Sequence, residues 1–239
     1  MKKQIGNTLS TLNSALKNSD GSAVAEATVS LLQSLDRPQK WSHRQAGIKA
    51  ANMFLLYGAK AGRRQNAVLL AEIKNSAKHM YSHFPESEKM AHIFLKLVGN
   101  LLELHTELRK HDGREHLFDE IRNIAHAFPR HPAIALECSL CYANLQENNI
   151  ASWNTSPSLT DMIISEQEKI SARFPRNNDI CRIYCRSLAK AARATQIKLR
   201  NWDLFRKYVE MLTNQVETHK IPTSGEIGDF LNAVAPFGI

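Results

Sequence analysis

Residues 117–142 read LFDEIRNIAHAFPRHPAIALECSLCY, and this stretch decides the fold. Four apolar residues follow one another at intervals of four, three and four: Leu117, Ile121, Ile124 and Phe128. Side chains at this spacing share one side of an α-helix. Pro129 disfavours helical backbone in the residue before it, so the helix is predicted to end there. A second apolar helix is predicted just downstream, over residues 132–147.

The same arrangement recurs along the chain. Five prolines stand at nearly even intervals of 47, 44, 46 and 47 residues: Pro38, Pro85, Pro129, Pro175 and Pro222. Stripes with the same spacing of four, three and four precede the other four prolines, at 24–35, 73–84, 163–174 and 205–216. Apolar helices are predicted after the prolines, over 42–61, 87–109, 132–147, 177–200 and 224–235. The predicted unit is therefore a pair of helices that ends at a proline-marked joint.

The predicted boundary between the helix at 132–147 and the next helix has sequence signals of its own. The longest irregular stretch is predicted over 148–157, which contains Trp153. Immediately after it, Ser158 and Asp161 have the three-residue spacing of a capping box, which predicts that a helix begins there.

This pattern resembles the tetratricopeptide-like and HEAT-like α-solenoids, in which helical hairpins stack into a superhelix. The resemblance implies an all-α, right-handed α-solenoid of about four to five stacked helical hairpins, with a repeat of about 46 residues. The chain is then a single helical-repeat domain over 1–239, with an N-terminal capping hairpin at 1–38, repeats at 39–222 and a C-terminal capping helix at 223–239. The alternative is an irregular helical bundle whose prolines only mark helix ends.

Composition agrees with this fold class. The chain has 239 residues, enough for a sizeable core, but only 10 glycines, which is few for the turns of an all-β fold. No apolar run approaches the roughly 18 residues that cross a bilayer, and the two N-terminal lysines precede no signal-peptide core. We therefore expect a cytoplasmic protein that does not enter a membrane.

The cysteines are the first candidates for chemistry: Cys138, Cys141, Cys181 and Cys185. Four thiolates suffice to hold a zinc ion, but both pairs fall in the middle of predicted helices rather than in tight turns. Cys138 and Cys141 share a helix face with Ile134 and Leu145, and Cys181 and Cys185 lie at the edge of their helix's apolar face. Buried thiols are therefore predicted rather than a zinc site. Metal ligands and cofactors are not predicted. Signatures of catalytic nucleophiles, phosphate loops and dinucleotide sites are missing, so the prediction is a protein that is not an enzyme.

The most unusual feature of the sequence is a concentration of positive charge near its carboxyl end. Residues 176–207 hold nine basic residues against Asp179 and Asp203, a local charge of +7 in a chain whose net charge is +8. Four of them, at intervals of four, four and three, form what we call the basic stripe: Arg182, Arg186, Lys190 and Arg193. Like charges at this spacing repel one another on a helix, so the stripe suggests an anionic partner. Lys198 and Arg200 complete the predicted partner-binding residues.

Three functions are compatible with these features. The first is an interaction scaffold that binds an acidic protein or peptide in a groove lined by the basic helix. The second is a nucleic-acid-binding helical repeat, although Tyr184 is predicted to face the core and Trp202 is the remaining aromatic residue nearby for stacking on bases. The third is a structural subunit that self-associates through its terminal hairpins. A solvated basic face without a partner is the simplest alternative, and the oligomeric state stays open.

Overall fold

The computed structural model describes residues 10, 11, 14, 78, 81, 82, 85–104, 113–151, 157–195 and 202–235. Seven α-helices have both ends within these residues, and none of the described residues lies in a strand: α1 (Glu88–Leu104), α2 (Gly113–Ala127), α3 (Pro132–Ala151), α4 (Pro157–Arg173), α5 (Asn178–Ala194), α6 (Trp202–His219) and α7 (Glu226–Val234). This confirms the all-α prediction for that part of the chain. None of its helices is both long and apolar enough to span a membrane. The helix predicted over 42–61 and the stripe at 24–35 lie outside the described residues, as does most of the capping hairpin at 1–38 and of the stripe at 73–84.

The chain divides into two compact units, residues 1–113 and 114–239. In the first unit, α1 buries an apolar face that includes Leu95 and Val98, and the rings of Tyr81 and Phe94 stack with centroids 5.3 Å apart. The second unit contains α2 to α7. A single helical-repeat domain over 1–239 stays a prediction.

The apolar stripes predicted before Pro129, Pro175 and Pro222 face the core of the second unit. The first three members of each stripe are buried: Leu117, Ile121 and Ile124 on α2, Ile163, Gln167 and Ile170 on α4, and Phe205, Val209 and Leu212 on α6. The fourth members are half-buried in each case: Phe128, Phe174 and Val216. On all three helices, the burial of the apolar stripe therefore decreases at the carboxyl end.

Two of the proline joints share one hydrogen-bonding pattern. The backbone N–H of His131 donates to the carbonyl oxygen of Phe128 at 3.2 Å, and that of Asn177 donates to the carbonyl oxygen of Phe174 at 2.9 Å. Each bond closes a turn around the intervening proline, which cannot donate a backbone hydrogen bond itself. The helices before these joints end at Ala127 and Arg173, as the prolines predicted.

A residue shortly after the proline also caps the next helix. A side-chain atom accepts a hydrogen bond from the backbone N–H three residues later in three places: Ser87 from Met90 at 3.4 Å, His131 from Ile134 at 3.3 Å and Asn177 from Ile180 at 3.2 Å. Such a bond satisfies an N–H that a helix start leaves unpaired, and for the common caps it is worth about 1 kcal/mol. These caps were not predicted, although each stands two residues after a proline of the series.

The boundary predicted between α3 and α4 is partly wrong. Helix α3 continues to Ala151, so residues 148–151 are helical rather than irregular. No glycine or proline interrupts the sequence until Pro157, and nothing in it forces an earlier end. Helix α4 then begins at Pro157, which places Ser158 inside the first turn rather than ahead of it. Proline is well suited to a first helical position because its missing N–H would be unpaired there.

Helix α5 lies at the centre of the second unit, where it contacts α3, α4, α6 and α7. Helices two apart in the chain also meet directly. The side-chain amide of Gln146 on α3 donates to the backbone carbonyl of Ser187 on α5 at 3.1 Å. The hydroxyl of Tyr208 on α6 donates to the carboxylate of Asp161 on α4. Helix α3 therefore contacts α5, and a side-chain hydrogen bond joins α4 to α6.

Candidate functional site

Only a narrow face of α5 reaches solvent. Most of the helix is buried, including Tyr184, Leu188 and Ala192, and the core-facing position predicted for Tyr184 is confirmed. The basic stripe occupies the remaining face: Arg182 and Arg186 are exposed, and Lys190 and Arg193 are half-buried. Four of the six predicted partner-binding residues therefore lie on one helix face. Lys198 and Arg200 lie outside the described residues.

A carboxylate from α7 lies between two arginines of the stripe. Glu226 places Oε2 at 3.4 Å from Nε of Arg186 and Oε1 at 4.0 Å from Nη1 of Arg193. The three side chains keep 31%, 55% and 41% of their surface exposed, respectively, so solvent screens both ion pairs. The basic stripe thus binds a carboxylate of the same chain, that of Glu226.

An aromatic ring from the same helix lies against Arg193. Cζ of Arg193 is 5.3 Å from the ring centroid of Phe230, which is within the range of a cation–π contact. Phe230 is almost fully buried, so its ring is fixed by the core. Glu226 and Phe230 are four residues apart and hence on one side of α7. Neither was predicted as a site residue, although their spacing within the capping helix is visible in the sequence.

The amino-terminal part of the stripe is arranged differently. Arg182 lies one helical turn before Arg186, is exposed, and forms no ion pair with any residue that the structure describes. An open cleft of about 630 Å³ lies at the preceding joint, lined by Arg173 and Arg176 as well as by Phe174, Pro175 and Asp179. Exposed arginines, together with Asp179, therefore continue from the stripe toward this joint.

The four cysteines are buried free thiols, as predicted. The thiol of Cys138 donates to the carbonyl oxygen of Ile121, with sulfur and oxygen 3.9 Å apart. The sulfur of Cys181 is 4.0 Å from the carbonyl oxygens of Phe174 and Pro175, so it also supports a joint. Among the residues placed by the structure, no three or more histidine, cysteine, aspartate or glutamate side chains are grouped to hold a metal ion.

Burial controls the reactivity of these thiols. Removal from water raises the pKa of Cys185 from an ordinary 9.0 to about 12, and the pKa of Cys138 rises further for the same reason. All four thiols are buried, so we expect a thiol reagent at about pH 8 to leave the four cysteines of the native chain unmodified. The same reagent should modify all four after denaturation. Rapid modification of the native protein would contradict this burial.

No protein-family model, curated protein or solved structure matches this chain. The resemblance to α-solenoids accordingly rests on the proline spacing and on the helices themselves.

Proposed function

We propose that the chain is a non-enzymatic interaction scaffold that binds an acidic protein or peptide through the basic stripe of α5. The observation that carries the proposal is the carboxylate of Glu226 between Arg186 and Arg193. It identifies the kind of group that this face accepts. Arg182, exposed and without an ion pair among the described residues, is where a further carboxylate from a partner would bind.

The scaffold belongs, in our proposal, to the tetratricopeptide-like or HEAT-like kind of right-handed α-solenoid, with a repeat of about 46 residues. Two features support this. Joints of the same geometry follow α2 and α4, and their capping residues, His131 and Asn177, are 46 positions apart. Contacts between α3 and α5 and between α5 and α7 are those expected when successive hairpins stack.

An acidic protein is favoured over nucleic acid as the partner. Proteins that bind single strands stack bases on exposed aromatic side chains. Tyr184 is buried, and Trp202 is 48% exposed but packs edge-on against Phe205, with ring centroids 5.6 Å apart. Trp202 is therefore the one exposed aromatic residue of the described part of the second unit, and it is already packed against another ring.

Removing the stripe's arginines tests the proposal. We expect Arg182, Arg186 and Arg193 replaced together by alanine to weaken binding of a labelled glutamate-rich peptide by about tenfold, since each exposed pair contributes a fraction of a kcal/mol up to about 1 kcal/mol. Fluorescence anisotropy across a salt series measures this, with circular dichroism to show that helical content is unchanged. Labelled RNA and DNA are titrated in parallel.

A matched control removes the same charge elsewhere. Arg130, Arg206 and Lys207 are exposed and lie off the stripe, and their triple alanine variant should keep nearly the affinity of the unaltered chain. An equal decrease in peptide affinity in both variants would mean that net charge alone attracts the peptide. Unchanged affinity in the stripe variant, or tighter binding of RNA or DNA than of the peptide, would count against an acidic protein partner.

A further inference from the structure

Helix α7 already contacts two of the four residues of the basic stripe, to which the proposed function assigns a partner. Glu226 offsets part of the positive charge of Arg186 and Arg193, and Phe230 lies against Arg193. We propose that α7 is a built-in competitor for the basic stripe, and that the partner is an amphipathic acidic helix with a carboxylate and an aromatic ring four residues apart. This inference rests on the proposed function and names both its partner class and its regulation.

The electrostatic contacts that hold α7 on the stripe are weak. The two arginine–carboxylate distances are 3.4 and 4.0 Å, and all three side chains remain partly exposed. Exposed ion pairs of this kind change an equilibrium only by a small factor. A partner that has its own carboxylate can therefore replace the contact with Glu226 at a small cost in free energy.

Helix α7 also has little stability of its own. It has nine residues, whereas isolated helices shorter than about 12–15 residues are marginal in water. Its preceding residue, Gly225, has φ +67° and offers no side-chain cap, in contrast to Asn177 before α5. Gly228 further lowers the helix propensity in its interior. The helix therefore depends on docking for its structure.

The docking contacts define what a competitor must carry. Ile227, Phe230 and Val234 of α7 are 3%, 1% and 3% exposed and belong to the same core as Leu188 and Phe205. A peptide with acidic residues alone would leave this apolar surface uncovered and would not displace α7. A competent partner combines glutamate or aspartate with apolar residues at the positions of Phe230 and Val234, which makes it amphipathic.

The experiment uses the full chain and a labelled peptide with the sequence of residues 223–235 as the probe. Replacing Glu226→Gln should tighten binding of this probe by about two- to fivefold, since it removes the internal carboxylate from the stripe. The matched control is Asp229→Asn, which removes the same charge from an exposed position of α7, where the structure records no ion pair with the described residues. The control should bind the probe about as the unaltered chain does.

Hydrogen exchange provides a second measurement that does not depend on a variant. With excess probe, the amides of α7 in the unaltered chain should lose protection, while those of α3 should keep it. A probe in which lysine stands at the position of Glu226 should leave the amides of α7 protected.

The two proposals fail in different ways. Equal probe affinity for the Glu226→Gln, Asp229→Asn and unaltered chains, with α7 still protected, would overturn the competitor role. If the glutamate-rich peptide still binds and still depends on Arg182, Arg186 and Arg193, the proposed function survives that result. If neither peptide binds any of these proteins, both proposals are wrong.

Discussion

Replacing Phe205 by alanine should lower the free energy of unfolding by about 3–5 kcal/mol, which is typical of a large aromatic residue removed from a core. Phe205 is fully buried and belongs to one cluster with Leu188, Leu212 and Phe230, so a single deletion leaves a cavity that several helices share. Urea unfolding of the full chain, followed by circular dichroism, measures the change as a lower midpoint.

The control for this prediction is Leu140→Ala. Leu140 is 39% exposed on α3, and a surface substitution of this kind should change the free energy of unfolding by no more than about 0.5 kcal/mol. A similar decrease in the free energy of unfolding in the two variants would mean that the apolar stripe that includes Phe205 is not the core-facing side of α6.

Replacing Gly228 by alanine should destabilise the chain, although the same change inside an ordinary helix stabilises it by about 0.5–1 kcal/mol. A Cβ atom at this position would lie 1.8 Å from the carbonyl oxygen of Thr223 and 2.8 Å from its carbonyl carbon. Both are backbone atoms, so α7 or the segment before it has to move. We expect a cost of about 1–3 kcal/mol, as for other overpacked sites.

The measurement is the protection of α7 amides in hydrogen exchange, together with the midpoint of urea unfolding. Asn232→Ala is the matched control because it raises helix propensity at an exposed position of the same helix. The control should be neutral or slightly stabilising. A stabilised Gly228→Ala variant would contradict the close approach of Thr223. If α7 competes for the stripe, the destabilised variant should also bind the 223–235 probe more tightly than the unaltered chain.

Much of the helical framework could be predicted because its signals are local. The 4-3-4 spacing from Leu117 to Phe128 identifies a buried helix face without knowledge of what covers it. Pro129 and Pro175 mark helix ends because proline constrains only itself and its nearest neighbours. The prediction failed at 148–151, where no such residue was present to end α3.

The candidate site shows the limit of the same approach. Spacing alone placed Arg182, Arg186, Lys190 and Arg193 on one side of α5, and the helix has them there. It did not indicate that Glu226, 40 residues beyond Arg186, would lie between two of these arginines. Such a contact depends on which helices pack together and at what offset, and no local pattern encodes that.

Sequence by itself determined the all-α class, the ends of α2 and α4, the burial of the cysteines and the one-sided charge of α5. These follow from side-chain periodicity, backbone restriction and charge, which act within a few residues. Tertiary structure alone decided that Glu226 of α7 lies between Arg186 and Arg193 and that Arg182 has no ion pair among the described residues. The reason is that packing of Ile227 and Phe230 into the core fixes the position of α7, and Glu226 is carried to the arginines with it.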